Sequence, residues 1–477
     1  MLMRILKKLL PFRSRERQGR GKIAEAVSAI FLYREDQEDL VFMIKRRGSV
    51  KGFPGYHDFP RGRADQKDIN IKPDHEVFSA HNLQFMAALC KEVKHTLGFD
   101  LEKAARAGQV KGIQSPGTAL TFEFSPYRYN THFFIIELKK KPLFTINAEA
   151  AVETHWKTPA QYVRLYEAGQ MVVLPSTINL LKIMETDLTN RRQKGFAFHW
   201  DETNEVPWFQ PLGGIEQLLP IAFTFPPYLH RTNCYIIGDA GERRFVVDPS
   251  PQDDIEYGKL VNTLKKFKFT DIFITHHHPD HHQGVPKLAR DFNIPITMSK
   301  YTHQRLLKRK GKTYLKDLEI KLVQEGEILT RWLGKAVKVY EIPGHDEGQL
   351  ALAPESMEWF LVGDLIQDTG AGTVVIGSEE GDMAKYYHSL EKIIQLDPKV
   401  LLPSHGILIG STHRLKQTLH HRKYRERQVL GLYRKGKTPE QMVKMLYQGV
   451  DRRLWPLALE NIKSHLKKLE QEKLIKH

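Results

Sequence analysis

The sequence predicts a multidomain α/β protein, on three observations. Its 477 residues are too many for one hydrophobic core, so two to four domains are expected. In the middle of the chain, several short apolar runs each end in a histidine or an aspartate, which is typical of strands whose carboxyl ends carry a functional site. Towards the C-terminus, apolar residues recur at helical spacing instead. The apolar fraction of 41% suits globular domains.

The cysteine content and the hydropathy indicate the cellular compartment in which the protein is expected. The chain has two cysteines, Cys90 and Cys234, which excludes a disulfide framework and favours a reducing environment. No apolar run approaches the roughly 20 residues that a bilayer crossing needs. We therefore expect a cytoplasmic protein without a transmembrane segment. Its oligomeric state does not follow from the sequence.

The positive charge is concentrated in two segments. The net charge is +16; residues 1–22 carry eight Lys or Arg and one Glu, and residues 413–437 carry nine and one. The balances of these segments, +7 and +8, make up nearly all of the excess. Such concentration favours a polyanionic partner. For the basic tail 1–22, an aid to solubility is the alternative.

Residues 23–190 form the first predicted domain. The apolar runs 26–33 and 40–44 predict a pair of strands, and residues 55–62 form a turn-rich loop. Phe85, Leu89, Val93 and Leu97 then recur every four residues, and Gly98 suits the end of that helix. This order resembles a Nudix domain with a long insertion between its glycine loop and its helix. The resemblance implies an α/β/α fold.

The predicted helix departs from the Nudix pattern Arg-Glu-x-x-Glu-Glu-x-Gly. Residues 91–98 read Lys-Glu-Val-Lys-His-Thr-Leu-Gly, so Glu92 is retained while His95 and Thr96 replace the paired glutamates that hold magnesium in that family. One carboxylate supports magnesium poorly. We therefore expect a Nudix-like domain without hydrolase activity, which binds a nucleotide or serves in assembly. Polar residues 191–207, ending in proline, predict a linker.

The densest cluster of candidate ligands is the run Thr-His-His-His-Pro-Asp-His-His at residues 275–282. The apolar residues before it predict a short buried strand. Residues two apart in an extended segment point to the same side, so His276 and His278 can bind one metal ion. After Pro279 the chain turns, and Asp280 and His281 face a second ion. Imidazole and carboxylate suit zinc; a His-rich loop that binds metal loosely is the alternative.

Four further candidates each follow an apolar run. These are Asp248, His345, Asp364 and His405. The order of all these residues resembles the five motifs of the metallo-β-lactamase superfamily, which implies a central αββα sandwich over residues 208–412. By this resemblance two zinc ions lie side by side, with iron or manganese as alternatives. His276, His278 and His345 would hold the first ion.

The resemblance also assigns the second ion and the catalytic groups. Asp280, His281 and His405 would hold the second ion, and Asp364 would bridge both. Asp248 would orient the site without binding metal. Asp280 and Asp364 would also orient the attacking hydroxide, so Asp280, Asp364 and Asp248 are the candidate catalytic residues. His277 and His282 have no assigned ligand role, and we expect them beside the ligands or exposed.

Residues 413–477 predict a basic helix followed by a small winged-helix module. Thr438, Pro439 and Gln441 suit a helix start, and a further helix is predicted from Pro456. This layout resembles the lactamase-beta-like endoribonucleases. It implies that the basic helix contacts RNA. The candidate nucleic-acid contacts are Arg422, Lys423, Arg425 and Arg427.

These features predict a dinuclear metal-dependent hydrolase. Our first hypothesis is a phosphodiesterase acting on single-stranded RNA, because of the basic helix and the endoribonuclease-like layout. The alternative is a thioesterase or small-ester hydrolase of the glyoxalase II type, since seven metal ligands do not distinguish carbon from phosphorus as the electrophile. A third hypothesis is a non-catalytic nucleotide sensor, which the complete ligand set disfavours. RNA, a small ester and a nucleotide are thus the candidate partners.

Overall fold

The computed structural model describes residues 23–65, 67–68, 73–122, 125, 127–186, 196–222, 231–367 and 374–476. The basic tail 1–22 and residues 191–195 of the predicted linker lie outside these ranges. The chain divides into two compact units. The first unit extends to Trp200 and includes Phe209–Gly214; the second comprises Asp201–Trp208 and the chain from Ile215 onward. The predicted domain boundaries stay predictions.

The first unit contains a mixed sheet. Its strands are β1 Ala24–Glu35, β2 Glu38–Arg46, β3 His57–Asp58, β4 Arg61–Arg63, β5 Val110–Leu120, β6 Tyr129–Leu138 and β7 Ala151–Lys157. The order is β3-β2-β1-β6-β5, with β4 beside β1 and β7 beside β2. β1 runs parallel to β6, while β2 and β4 are antiparallel to β1. The predicted strands 26–33 and 40–44 lie within β1 and β2.

Helices cover both faces of this sheet. They are α1 Glu76–Ser79, α2 Leu83–Leu97, α3 Leu101–Arg106, α4 Pro159–Glu167 and α5 Pro175–Thr186. On one face Leu89 and Val93 of α2 pack with Phe31, and on the other Tyr162 and Leu181 pack with neighbouring strand residues. α2 ends at Gly98, whose φ of 60° suits glycine. The predicted α/β/α arrangement is confirmed.

The second unit contains one larger mixed sheet and two smaller strand groups. Its strands are β9 Ile215–Leu218, β10 Cys234–Ile237, β11 Phe245–Val247, β12 Asp271–Phe273, β13 Ile296–Met298, β14 Ile320–Leu322, β15 Ile328–Trp332, β16 Lys335–Glu341, β17 Leu350–Pro354, β18 Trp359–Gly363 and β19 Val400–Pro403; β8, Trp208–Leu212, lies where the units divide. The large sheet has the order β14-β13-β12-β11-β10-β9. Strands β11 to β14 run parallel, so their carboxyl ends meet at one edge.

The smaller strand groups carry the other ligand-bearing loops. β15, β16 and β17 form an antiparallel group, and β18 pairs with β19 in parallel. The helices of this unit are α6 Asp254–Leu264, α7 Pro279–His282, α8 Val285–Phe292, α9 Lys300–Lys310, α10 Met383–Leu396, α11 His413–Arg434, α12 Pro439–Leu446 and α13 Trp455–Gln471. One core joins α6, α8 and α9 to the large sheet, and a second joins α10 to the smaller groups. The predicted mixed α/β class is confirmed.

The C-terminal helices begin close to their predicted positions. Thr438 caps α12, its hydroxyl accepting the Gln441 N–H while the Gln441 side chain accepts the Thr438 N–H, and Pro439 is the first helical residue. α13 begins at Trp455, one residue before the predicted Pro456. Val429 of α11 packs with Met442 and Ile462 in a separate small core. Among the described helices, none combines the length and apolar character that a membrane crossing requires.

Candidate metal centre

The histidine-rich run follows directly from the buried strand β12. His278 itself has φ and ψ of −70° and 146°, in the extended region, and Pro279 then opens the short helix α7. His276 and His278 therefore precede the turn, while Asp280 and His281 lie on it, as the sequence predicts. Asp364 follows β18 and His405 follows β19. Together with His345, these residues bring four separate chain segments to one place in the second unit.

Three imidazole nitrogens converge in the first ligand group. His278 Nδ1 lies 3.0 Å from His276 Nε2 and 2.9 Å from His345 Nε2. A neutral imidazole carries one N–H, so one proton at His278 Nδ1 can satisfy only one of these neighbours well. A cation shared by three lone pairs satisfies all of them, and zinc prefers such donors. The arrangement fits the predicted first ion.

The outer ring nitrogens fix the tautomers of these histidines. His345 Nδ1 lies 2.9 Å from the Val375 carbonyl and His405 Nδ1 lies 3.0 Å from the Arg231 carbonyl. A carbonyl only accepts, so each Nδ1 donates, and Nε2 is the ring nitrogen that faces the centre. Among the described residues, the buried His281 Nε2 has no hydrogen-bond partner. Each of these rings therefore presents Nε2 as the atom available for metal ligation.

The second ligand group consists of Asp280, His281 and His405. Asp280 Oδ2 lies 3.8 Å from His281 Nε2 and 3.4 Å from His405 Nε2. Asp364 lies between the two groups: its Oδ2 is 3.5 Å from His345 Nε2 and 3.6 Å from His281 Nε2, and its Oδ1 is 3.5 Å from His405 Nε2. The structure therefore brings all seven predicted ligands together.

The two groups differ in charge. Burial lowers the pKa of His276 well below 6.5 and that of His345 to about 4, so both rings are neutral near pH 7. Burial acts in the same direction on His405, but the carboxylates of Asp364 and Asp280 outweigh it and raise its pKa to about 10. In the metal-free protein a proton therefore stays on this side. A second cation would take the place of that positive charge.

Asp248 holds the second group from outside. Its Oδ1 accepts the Thr275 N–H at 2.8 Å, and its Oδ2 accepts the Thr275 hydroxyl at 2.6 Å and the His281 Nδ1–H at 2.8 Å. Asp248 has a φ of 49°, a left-handed conformation in which Asp and Asn are enriched. Its carboxylate orients His281 and does not face the ligand nitrogens, as its predicted role requires.

The two unassigned histidines are both buried, which excludes exposure, one of their two expected positions, and the His277 ring centroid lies 5.0 Å from that of His278, beside the ligands. The His277 ring contacts Asp346 Oδ2, and His282 Nδ1 lies 2.7 Å from the Tyr314 hydroxyl. Sequence reasoning missed Asp346, although it directly follows His345. It also missed Glu380, whose Oε2 lies 3.6 Å from His278 Nε2. No spacing pattern linked Glu380 to the motif.

The predicted RNA contacts on α11 require correction. Arg422 is only 2% exposed: its Nη1 donates to Asn461 Oδ1 at 3.1 Å and its Nη2 donates to the Val374 carbonyl. Arg425 donates to the Leu446 carbonyl at 3.0 Å. Both side chains are used within the protein, because they lie on the inner faces of the helix. Lys423 and Arg427 are exposed, so their predicted contact with RNA stays a prediction.

In the first unit, the retained Nudix glutamate is not part of a metal cluster. Glu92 Oε1 accepts the Thr96 hydroxyl at 2.5 Å, and its side chain lies against Gly62, where an added Cβ would be 2.3 Å from Oε2. Burial raises the pKa of Glu92. Among the residues that the structure describes, Glu92 belongs to no group of three ligating side chains. The described residues around Glu92 therefore do not supply the carboxylates that magnesium needs.

We therefore expect no hydrolysis of nucleoside diphosphate compounds by the first unit. The full-length protein is incubated with a panel of such compounds and magnesium or manganese, and phosphate release is measured. The Asp364→Ala variant serves as the control, because it removes a ligand of the other centre only. Turnover that persists in Asp364→Ala and disappears in Glu92→Gln would show that the first unit is active.

The chain is similar to known proteins in three regions. A model of the metallo-beta-lactamase superfamily matches residues 227–405, and a model of the beta-lactamase associated winged helix domain matches residues 438–477. A NUDIX hydrolase from Alicyclobacillus acidocaldarius aligns with 35% of this chain and 92% of its own, at 15% identity and a TM-score of 0.30. A TM-score this low does not establish a common fold, so the Nudix relationship stays a prediction.

Two relatives extend the comparison of the second unit. The chain is 32% identical over 261 residues to the "Beta-lactamase-like protein 2 homolog" of Drosophila melanogaster, which covers 51% of this chain and 84% of that protein. It is 36% identical over 159 residues to a hydroxyacylglutathione hydrolase of Wigglesworthia glossinidia brevipalpis, which covers 33% of this chain. The chain spans 54% of the length of that hydrolase.

Proposed function

This chain belongs to the metallo-beta-lactamase superfamily and is a hydrolase of that group; we propose that its substrate is single-stranded RNA. The observation that carries the proposal is a row of exposed cations along α11. Its members are Lys416, Lys423, Arg427 and Arg434. We call this set the cationic row.

The cationic row follows from helical geometry. Its members are separated by seven, four and seven residues, and at about 100° per residue they fall within an arc of about 40°. At about 1.5 Å rise per residue the row is about 27 Å long. Lys423 also pairs with Glu391 at 2.7 Å, but an exposed pair of this kind contributes little and exchanges readily. A linear series of cations suits a flexible polyanion.

The metal centre would supply the chemistry. Divalent ions bound there would supply hydroxide near neutral pH, because metal binding lowers the pKa of water. The three histidines of the first group would hold one ion, Asp280, His281 and His405 would hold the other, and Asp364 would contribute to both. Asp280 and Asp364 orient the attacking oxygen, and Asp248 keeps His281 in the ligating tautomer. Zinc fits this mixture of imidazole and carboxylate ligands.

Replacing the four members of the cationic row by alanine is expected to weaken RNA binding and reduce its salt dependence. Each phosphate contact that is lost should lower the slope of log affinity against log salt by about 0.7. Binding of a single-stranded oligonucleotide is measured by fluorescence anisotropy between low and physiological salt. Metal content should be unchanged.

A matched control removes the same charge elsewhere. Four exposed lysines outside the row are replaced by alanine together. They are Lys111, Lys139, Lys140 and Lys268. If both quadruple variants lose affinity equally, the effect comes from net charge and the row is not a binding surface. If the parent binds no RNA at low salt, the RNA proposal is wrong.

Hydrolysis of a small thioester is the second candidate function. It is favoured by the similarity of the metal-binding region to a hydroxyacylglutathione hydrolase. A small acyl thioester needs the ions and not the cationic row. Thioester cleavage that is unaffected in the row variant, together with absent RNA cleavage, would favour this candidate.

A further inference from the structure

The segment Val374–Glu380, here called the strap, lies between the metal centre and the C-terminal helices. We propose that α11 and α13 act through the strap to position His345 and His278, so that the C-terminal helices tune the first ion site. Asn461 of α13 is the positioning residue at its centre. This inference rests on the proposed metal centre, and it does not depend on the identity of the substrate.

The inner side of the strap faces two ligand histidines. The Val375 carbonyl accepts the His345 Nδ1–H at 2.9 Å, which fixes that ring with Nε2 towards the centre. Glu380 Oε2 lies 3.6 Å from His278 Nε2, the nitrogen opposite the one that meets the other ligands. Glu380 also forms an ion pair with Arg309 of α9, which limits where its carboxylate can move. Both contacts concern the first ligand group.

The outer side of the strap is held by α11 and α13. Asn461 Oδ1 accepts the Ile376 N–H at 3.0 Å and Arg422 Nη1–H at 3.1 Å. Arg422 in turn donates to the Val374 carbonyl. The residues on either side of Val375 are therefore bound to the C-terminal helices by their backbone groups.

A second set of contacts holds the strap near Ser378. Glu460 Oε2 accepts the Ser378 hydroxyl at 2.7 Å and its N–H at 3.3 Å. Lys467 Nζ donates to the Ser378 carbonyl at 3.2 Å. These bonds hold the strap just before Glu380. The strap is thus held on both sides of Val375 and just before Glu380.

The physical reason for this dependence is the lack of regular structure in the strap. Its residues belong to no helix or strand, so its buried backbone groups must find partners elsewhere. Ile376 is fully buried and Val374 nearly so. If Asn461 no longer binds the Ile376 N–H, the adjacent Val375 carbonyl can turn away from His345. Loss of such an outer hydrogen bond to a ligand histidine typically weakens metal binding about 10–100-fold.

The test compares Asn461→Leu with Asn461→Asp. Leucine has a similar size and removes the acceptor, whereas aspartate keeps an oxygen for both Ile376 and Arg422. Zinc affinity is measured by chelator competition in the full-length protein. We expect Asn461→Leu to bind one of two ions about 10–100-fold more weakly, and Asn461→Asp to bind both ions as the parent does. RNA affinity should be unchanged, because the cationic row lies on the exposed side of α11.

Further measurements distinguish a positioning role of Asn461 from a contribution to folding alone. The unfolding transition of each metal-free variant is recorded, and Glu460→Ala gives a second, milder perturbation if Asn461→Leu does not fold. A folded Asn461→Leu that binds both ions with parental affinity would overturn the inference, and so would equal weakening of both ions. If the parent itself binds no zinc, the metal centre of the proposed function fails instead.

Discussion

Replacing Asp364 by alanine is expected to abolish hydrolysis and to reduce the metal content below two ions per chain. Its Oδ2 lies 3.5 Å from His345 Nε2 and its Oδ1 lies 3.5 Å from His405 Nε2, so this carboxylate faces both ligand groups. Its removal costs several kcal/mol of transition-state stabilisation, which corresponds to a rate loss of at least about a thousandfold. The measurements are metal content by atomic emission and steady-state rates on RNA and thioester substrates.

Two further variants complete this test. Asp364→Asn keeps the shape and removes the charge, so it separates bridging by a carboxylate from simple packing. Asp317, which is exposed and remote from the motif in the chain, gives a control aspartate-to-alanine substitution. Undiminished metal content and activity in Asp364→Ala would show that this residue does not bridge two ions.

Replacing Asp248 by alanine is expected to have the next largest effect, on both stability and metal binding. The substitution leaves buried donors on Thr275 and His281 without their acceptor. One such unsatisfied donor costs about 1–3 kcal/mol. Because His281 also loses the bond that fixes its tautomer, we expect its ion to bind about 10–100-fold more weakly.

The measurements are urea unfolding of the metal-free protein and chelator competition of the metal-bound protein. Asp248→Asn is the matched variant, since Asn also accepts a left-handed backbone and keeps one acceptor oxygen. It should recover most of the stability. It should not recover the metal affinity, because its amide nitrogen cannot accept from His281. Parental metal affinity in Asp248→Ala would contradict the orienting role.

We expect substitutions at Asp248 and at Asn461 to act on different ion sites. Asp248 contacts His281 of the second group, whereas Asn461 acts through the strap on His345 of the first group. In chelator competition curves that resolve two ions, the Asp248 and Asn461 variants should therefore each weaken a different one of the two binding phases. The comparison assigns each phase to a ligand group without any spectroscopic label.

The ligand set could be predicted from the sequence because it depends on local geometry. His276 and His278 are two apart in an extended segment, and Asp280 and His281 follow a proline that opens a helix. Each remaining ligand follows an apolar strand. Strand periodicity and turn chemistry are properties of short segments, so the sequence carries them directly.

The surroundings of the ligands depend on tertiary contacts and could not be predicted in the same way. The basic run predicts an RNA contact for Arg422, but the position of Arg422 on the helix turns its side chain inward to Asn461. The buried His277 contacts Asp346, which comes from another loop, so this pairing depends on the tertiary fold. The Val375 contact uses a backbone carbonyl, and a side-chain pattern contains no information about it. A run of basic residues therefore indicates a charged surface only after the positions of those residues around the helix are taken into account.

The strap has a consequence for how this protein can diverge. On the proposed role of the strap, substitutions on the inner side of α11 and along α13 would be constrained by catalysis, because they would change the hold on His345. Substitutions in the cationic row are not constrained in this way, since those side chains face solvent. Descendants can therefore exchange one binding partner for another by changing the outer side of a single helix. The inherited catalytic centre would pass through such a change intact.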